Sequence, residues 1–124
     1  MVKKIMVVDD EPSVVFTVKH GLEKLDADYQ VTGVDSGKKC LELLEQNQIP
    51  DLIILDIMMP EMSGWETLKR IKENLKWKNI PVVFLSARTD HVAKHAGGFL
   101  GEDYIDKPFK VPELRQRIEK ILKR

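Results

Sequence analysis

Short apolar runs alternate with amphipathic stretches along the whole chain. Ile5-Met6-Val7-Val8 is a continuous apolar run, and Asp9-Asp10 ends it. Such a run has the length of a strand and suits one buried on both faces of a parallel sheet. Pro12 follows where the first turn of a helix tolerates it. Val14, Val15, Val18, Leu22 and Leu25 then form one helical stripe. Gln30 to Val34 predicts a second strand, and Asp35-Ser36-Gly37 a helix start with Cys40, Leu41 and Leu44 on its apolar face. Pro50-Asp51 introduces Leu52-Ile53-Ile54-Leu55, the most apolar run and the candidate central strand, which Asp56 terminates. After the turn Met59-Pro60-Glu61-Met62-Ser63-Gly64, the spacing of Trp65, Leu68, Ile71 and Leu75 predicts a third helix. Ile80 to Leu85 reads as a fourth strand ended by Ser86. A further helix is expected over about Asp90 to Ala96. Gly97-Gly98 should stop it, because each helical glycine costs roughly 1 kcal/mol relative to alanine. Asp103-Tyr104-Ile105 is a short fifth strand before Lys107-Pro108, and Leu114, Ile118, Ile121 and Leu122 share one face of a last helix.

Five strand–helix pairs in this order predict an α/β fold: a five-stranded parallel sheet with helices on both faces. Right-handed crossovers leave few topologies open. The expectation is one domain over residues 1–124, with no internal repeat, low-complexity tract or linker. Acids and bases balance to a formal net charge of zero. That argues against a large electrostatic footprint for nucleic acid or an anionic membrane. Cys40 is the sole cysteine, so an internal disulfide and a multi-cysteine zinc site are excluded. No apolar run is long enough to span a bilayer. Met1-Val2-Lys3-Lys4 leads directly into the first strand, leaving no room for a signal peptide. A cytoplasmic location is the expectation.

The chemistry lies in where the polar residues fall. Asp9, Asp10, Asp56, Ser86 and Lys107 each sit at, or just after, the C-terminal end of an expected strand. Open parallel α/β sheets bind ligands at that edge. Three carboxylates gathered there repel, and at least one pKa should rise. A divalent cation relieves the conflict, and Mg²⁺ favours a few carboxylates, waters and a substrate phosphate. Asp9-Asp10 taken alone reads equally as a strand end meeting a helix start, where acids suit the dipole. A carboxylate such as Asp56 can act as a phosphoryl nucleophile. Phosphoryl transfer needs alignment and neutralised oxygens, which Lys107 and the Ser86 hydroxyl can supply. Each of those two, by itself, reads as a loop lysine and a turn-capping serine.

These residues in this order resemble the receiver domain of two-component response regulators, the chemotaxis regulators among them. The matching stretches are Ile5 to Pro12, Leu55-Asp56-Ile57-Met58-Met59-Pro60 with Ser63-Gly64, Leu85-Ser86-Ala87, and Asp103-Tyr104 through Lys107-Pro108-Phe109. The resemblance implies a flavodoxin-like sheet with Asp56 as the phosphorylated residue. It implies Mg²⁺ as cofactor, held by Asp9, Asp10, Asp56 and the backbone carbonyl of Met58. Lys107 matches the lysine that contacts the phosphoryl group. Ser86 and Tyr104 match a hydroxyl and an aromatic that move together on activation, and a cis Lys107–Pro108 bond is implied as well. The usual donor is a sensor histidine kinase or a phosphotransfer protein. The resemblance makes the chain a phosphoacceptor that catalyses only its own phosphorylation and dephosphorylation. It leaves open the output partner or fused output domain, and it raises a homodimer formed on phosphorylation.

One departure from the family pattern stands out. Between Ser86 and Lys107 the spacing is one residue shorter than usual, with Gly101-Glu102-Asp103-Tyr104 in place of the common Gly-Ala-Asp-Asp-Tyr. A short or frayed helix ending by Ala96 to Gly98 follows, with Phe99 a candidate anchor for a partner. His91 and His95 are four apart but lack an evident third ligand, and read as a solvated face. Trp65, Trp77 and Cys40 read as packing residues. Two other classes fit less well. A dehalogenase-type phosphohydrolase uses an Asp-x-Asp pattern and a cap domain, whereas Asp9 and Asp10 are adjacent. A flavodoxin-type carrier needs a phosphate-cradling loop where this chain has Asp9-Asp10-Glu11.

Overall fold

The structure, a computed structural model, describes residues 1–87 and 103–123. Five strands form one parallel sheet: β1 (Lys3–Val8), β2 (Tyr29–Val34), β3 (Leu52–Asp56), β4 (Val82–Ser86) and β5 (Asp103–Asp106). Their order across the sheet is β2-β1-β3-β4-β5. This is the flavodoxin-like order, in which the chain reverses direction across the sheet beside β1 and β3. The described helices are α1 (Pro12–Leu25), α2 (Gly37–Glu45), α3 (Gly64–Lys72) and α4 (Val111–Leu122). The helix expected over Asp90 to Ala96, its stop at Gly97-Gly98, Phe99 and the histidine pair lie outside the described residues.

The strict alternation of the strands divides the core in two. Ile5, Val7, Leu52, Ile54, Val83 and Leu85 face one side and pack with Val18 and Leu22 of α1 and with Leu114, Ile118 and Ile121 of α4. Met6, Val8, Ile53, Leu55, Val82 and Phe84 face the other, against Cys40 and Leu44 of α2 and Leu68 and Ile71 of α3. All of β3 and β4 is buried. The continuous apolar runs therefore exist because helices cover both faces. Helix starts are set locally. Pro12 occupies the first turn of α1. The Ser36 and Ser63 hydroxyls accept from the Lys39 and Glu66 N–H groups, capping α2 and α3.

Two apolar positions depart from the expected stripes. Leu25, at the end of α1, is 44% exposed, and Leu75 is 81% exposed. α3 stops at Lys72 because Asn74 opens a turn. Its side chain accepts from Lys76 N–H, and its carbonyl from the N–H groups of Trp77 and Lys78. That turn swings Leu75 outward and brings Trp77 and Ile80 into the core in its place. β4 consequently begins at Val82, two residues later than the apolar run suggests. Trp65, Trp77 and Cys40 are packing residues, as expected.

Candidate functional site

The upper ends of β1, β3, β4 and β5 deliver the site. Asp9 follows β1 and is tied down by its N–H donating to the Val34 carbonyl, 3.2 Å. Asp56 ends β3, and the next N–H, from Ile57, donates to Leu85 O at 3.2 Å. Ser86 ends β4, and the Lys107 N–H donates to its carbonyl at 2.8 Å. The peptide bond between Lys107 and Pro108 is cis, as the resemblance implied.

Lys107 is the hub. Its Nζ lies 2.9 Å from Asp9 Oδ2, 3.2 Å from Asp56 Oδ1 and 3.6 Å from Glu11 Oε1. One carboxylate oxygen from each of Asp9, Asp10 and Asp56 falls within 4.8 Å of the others. Asp9 and Asp56 are buried, whereas Asp10 faces solvent. Burial raises the Asp9 carboxyl, against the opposing pull of Lys107. Burial, then the charge of Asp9, pushes Asp56 up to about 7, although Lys107 opposes both. Burial pulls the Lys107 ammonium down, but contact with Asp9 and the two nearby charges outweigh it, so its pKa is raised. One cation thus faces more acid than it can neutralise. Asp9 Oδ2, despite its closeness to Lys107, accepts no aligned hydrogen bond among the described residues. This donor set fits a divalent cation: hard carboxylate oxygens, crowded, partly uncompensated and open to solvent on the Asp10 side.

Gly64 sets the loop that follows Asp56. Its N–H donates to Ile57 O at 2.7 Å. A Cβ there would collide with the Asp56 carbonyl oxygen and lie 2.8 Å from Ile57 Cα, both backbone atoms that cannot swing aside. Gly64→Ala should therefore destabilise the fold by about 1–3 kcal/mol, the usual range for overpacking. A urea titration measures it, and an unchanged midpoint would show that the loop yields.

The structure brings together Asp9, Asp10, Asp56 and Lys107. Met58, two residues past Asp56, is 65% exposed. Ser86 is fully buried, and its hydroxyl donates to Asp106 Oδ1 at 3.1 Å. Tyr104 stacks on Phe84 with ring centroids 5.4 Å apart, and Trp65 packs against both rings, at 4.5 Å from Phe84 and 6.3 Å from Tyr104. The buried Tyr104 hydroxyl has no hydrogen-bond partner among the described residues. Two contributors escaped the sequence reading. Glu11, in sequence only part of the Asp9-Asp10-Glu11 loop, also reaches Lys107. Asp106 was passed over, although period-two alternation from Tyr104 puts both on one face of β5.

The chain belongs to the response regulator receiver domain family, whose model matches residues 5–119. It is 42% identical over 119 residues to histidine kinase P4 of Formosa agariphila, covering 95% of this chain and 8% of that protein. It is 37% identical to the alkaline phosphatase synthesis transcriptional regulatory protein PhoP of Bacillus subtilis, over 100% of this chain and 50% of that one. Among solved structures it resembles the Vibrio cholerae chemotaxis protein CheY4, with a TM-score of 0.87, 28% identity and coverage of 98% and 99% of the two chains. The chain spans half or less of the length of the first curated relatives it matches. The family is a signalling one, and receiver domains bind Mg²⁺ in general. No described helix is long and apolar enough to cross a membrane.

Proposed function

We propose that Asp56 accepts a phosphoryl group from a phosphohistidine of a sensor histidine kinase or phosphotransfer protein. The observation that carries this reading is a buried carboxylate at a strand end, flanked by two further acids and one lysine in a single crevice. An Asp56 carboxylate oxygen forms the P–O bond as the P–N bond to the donor imidazole breaks. The electron pair stays on that nitrogen, which then takes a proton. Asp9, Asp10, Asp56 and the Met58 carbonyl would hold Mg²⁺. The bound ion supplies charge neutralisation for the phosphoryl oxygens. Lys107 supplies a further positive charge and holds Asp56 Oδ1 in place before reaction. The Ser86 hydroxyl donates to the phosphoryl group after transfer. Its movement frees space for Tyr104, so a local charge shifts the population of surface shapes around β4 and β5.

Two measurements test this. Incubation with acetyl phosphate and Mg²⁺ should add the mass of one phosphoryl group. Chelation with EDTA should abolish the addition, and so should Asp56→Asn. Full labelling of that variant would remove Asp56 from its role. Asp10→Ala should weaken Mg²⁺ binding and slow labelling, while Asp9→Ala should be milder; unaltered binding in both variants would contradict the metal assignment.

A further inference from the structure

We propose that Asp106 is a positioning residue that competes with the phosphoryl group for the Ser86 hydroxyl and so holds the switch in its resting arrangement. This rests on the reading of Asp56 given above. β4 and β5 are in parallel register, with Phe84 opposite Tyr104 and Ser86 opposite Asp106. Side chains two apart share a face. The Phe84–Tyr104 stack and the Ser86–Asp106 hydrogen bond are therefore consecutive pairs on one side of the sheet. A serine hydroxyl carries a single proton. While Oγ donates to Asp106 Oδ1 at 3.1 Å, it cannot donate to an oxygen on Asp56. Ser86 is fully buried, so its hydroxyl has no bulk water to donate to in place of these two acceptors, whereas Asp106 itself is half-buried. The resting contact is to a carboxylate, the stronger class of acceptor. Recruitment of the hydroxyl must therefore break a charge-assisted bond before it makes another. Asp106 thus sets how far the equilibrium leans toward the resting state. The Tyr104 ring, one register pair away on the same face, is placed to follow when the Ser86–Asp106 pair separates.

The test uses beryllofluoride with Mg²⁺, an equilibrium mimic of the phosphoryl group, titrated by fluorine NMR. Asp106→Val removes the acceptor while keeping a strand-forming side chain, and should tighten beryllofluoride binding by about tenfold, the worth of one hydrogen bond to a charged group. Asp106→Asn keeps the shape and a weaker, neutral acceptor, and should give a smaller gain. The decisive comparison is in a Ser86→Ala background, where both gains should vanish. Equal gains with and without Ser86 would mean that Asp106 acts through its charge on an anionic ligand, and would overturn the proposal. Unchanged affinity in both folded Asp106 variants with Ser86 intact would overturn it too. A different failure identifies the other culprit: if the unsubstituted chain binds no beryllofluoride, or Asp56→Asn binds it equally well, the Asp56 reading falls and this inference falls with it.

Discussion

Asp56→Asn should be more stable than the unsubstituted chain when both are free of metal, by on the order of 2 kcal/mol at pH 8. The sign follows from the site. Asp56 is buried and faces the charge of Asp9, and these causes raise its pKa to about 7. An unfolded aspartate titrates near 4. Between those values the folded chain retains a proton that the unfolded chain has lost, so this group's contribution falls as pH rises through that window. The penalty is complete above the folded value. Asparagine keeps the shape and removes the charge. In urea titrations the gap between the two proteins should be wide at pH 8 and narrower at pH 5. Millimolar Mg²⁺ should narrow it at pH 8, because a cation stabilises the ionised crevice. A gap that does not change with pH would mean that crowding of the acids contributes nothing.

Lys107→Ala should act in the opposite direction, destabilising the metal-free protein by about 3 kcal/mol at pH 8, the scale for leaving buried charge without its partner. Its ammonium is the one cation within 4.0 Å of Asp9 and Asp56 among the described residues. The loss should shrink at pH 5, as Asp56 takes up a proton instead. Combining Lys107→Ala with Asp56→Asn should recover part of it, since the two side chains share one interaction and their effects do not add. Guanidinium or urea midpoints for the four proteins give the cycle directly. Additive effects would place the lysine outside the acidic cluster in solution.

Much of this arrangement was legible in the sequence. The runs Leu52 to Leu55 and Ile80 to Leu85 mark buried strands, the second of them beginning only at Val82, and the polar residue closing each run marks the site edge. Asp9, Asp56, Ser86 and Lys107 could be placed because a parallel sheet aligns its strand ends. Leu75 could not be placed, because helical spacing continues past Lys72 in the sequence while the Asn74 turn ends the helix in the structure. The Ser86–Asp106 contact was out of reach for a different reason. It depends on the register between β4 and β5, which period-two alternation within each strand does not set. The 3.6 Å approach of Glu11 to Lys107 depends on side-chain direction at the first turn of α1, which spacing does not reveal.

Phosphorylation at Asp56 is the central claim, and the position of the phosphoryl group tests it directly. An acyl phosphate is reduced by borohydride to an alcohol, which converts a modified aspartate to homoserine at the residue that carried it. After incubation with acetyl phosphate and Mg²⁺, borohydride treatment and peptide mass spectrometry should find homoserine at position 56, and at neither Asp9, Asp10 nor Asp106. Homoserine at any of those positions with position 56 unaltered, or no reduction product anywhere in the chain, would contradict it.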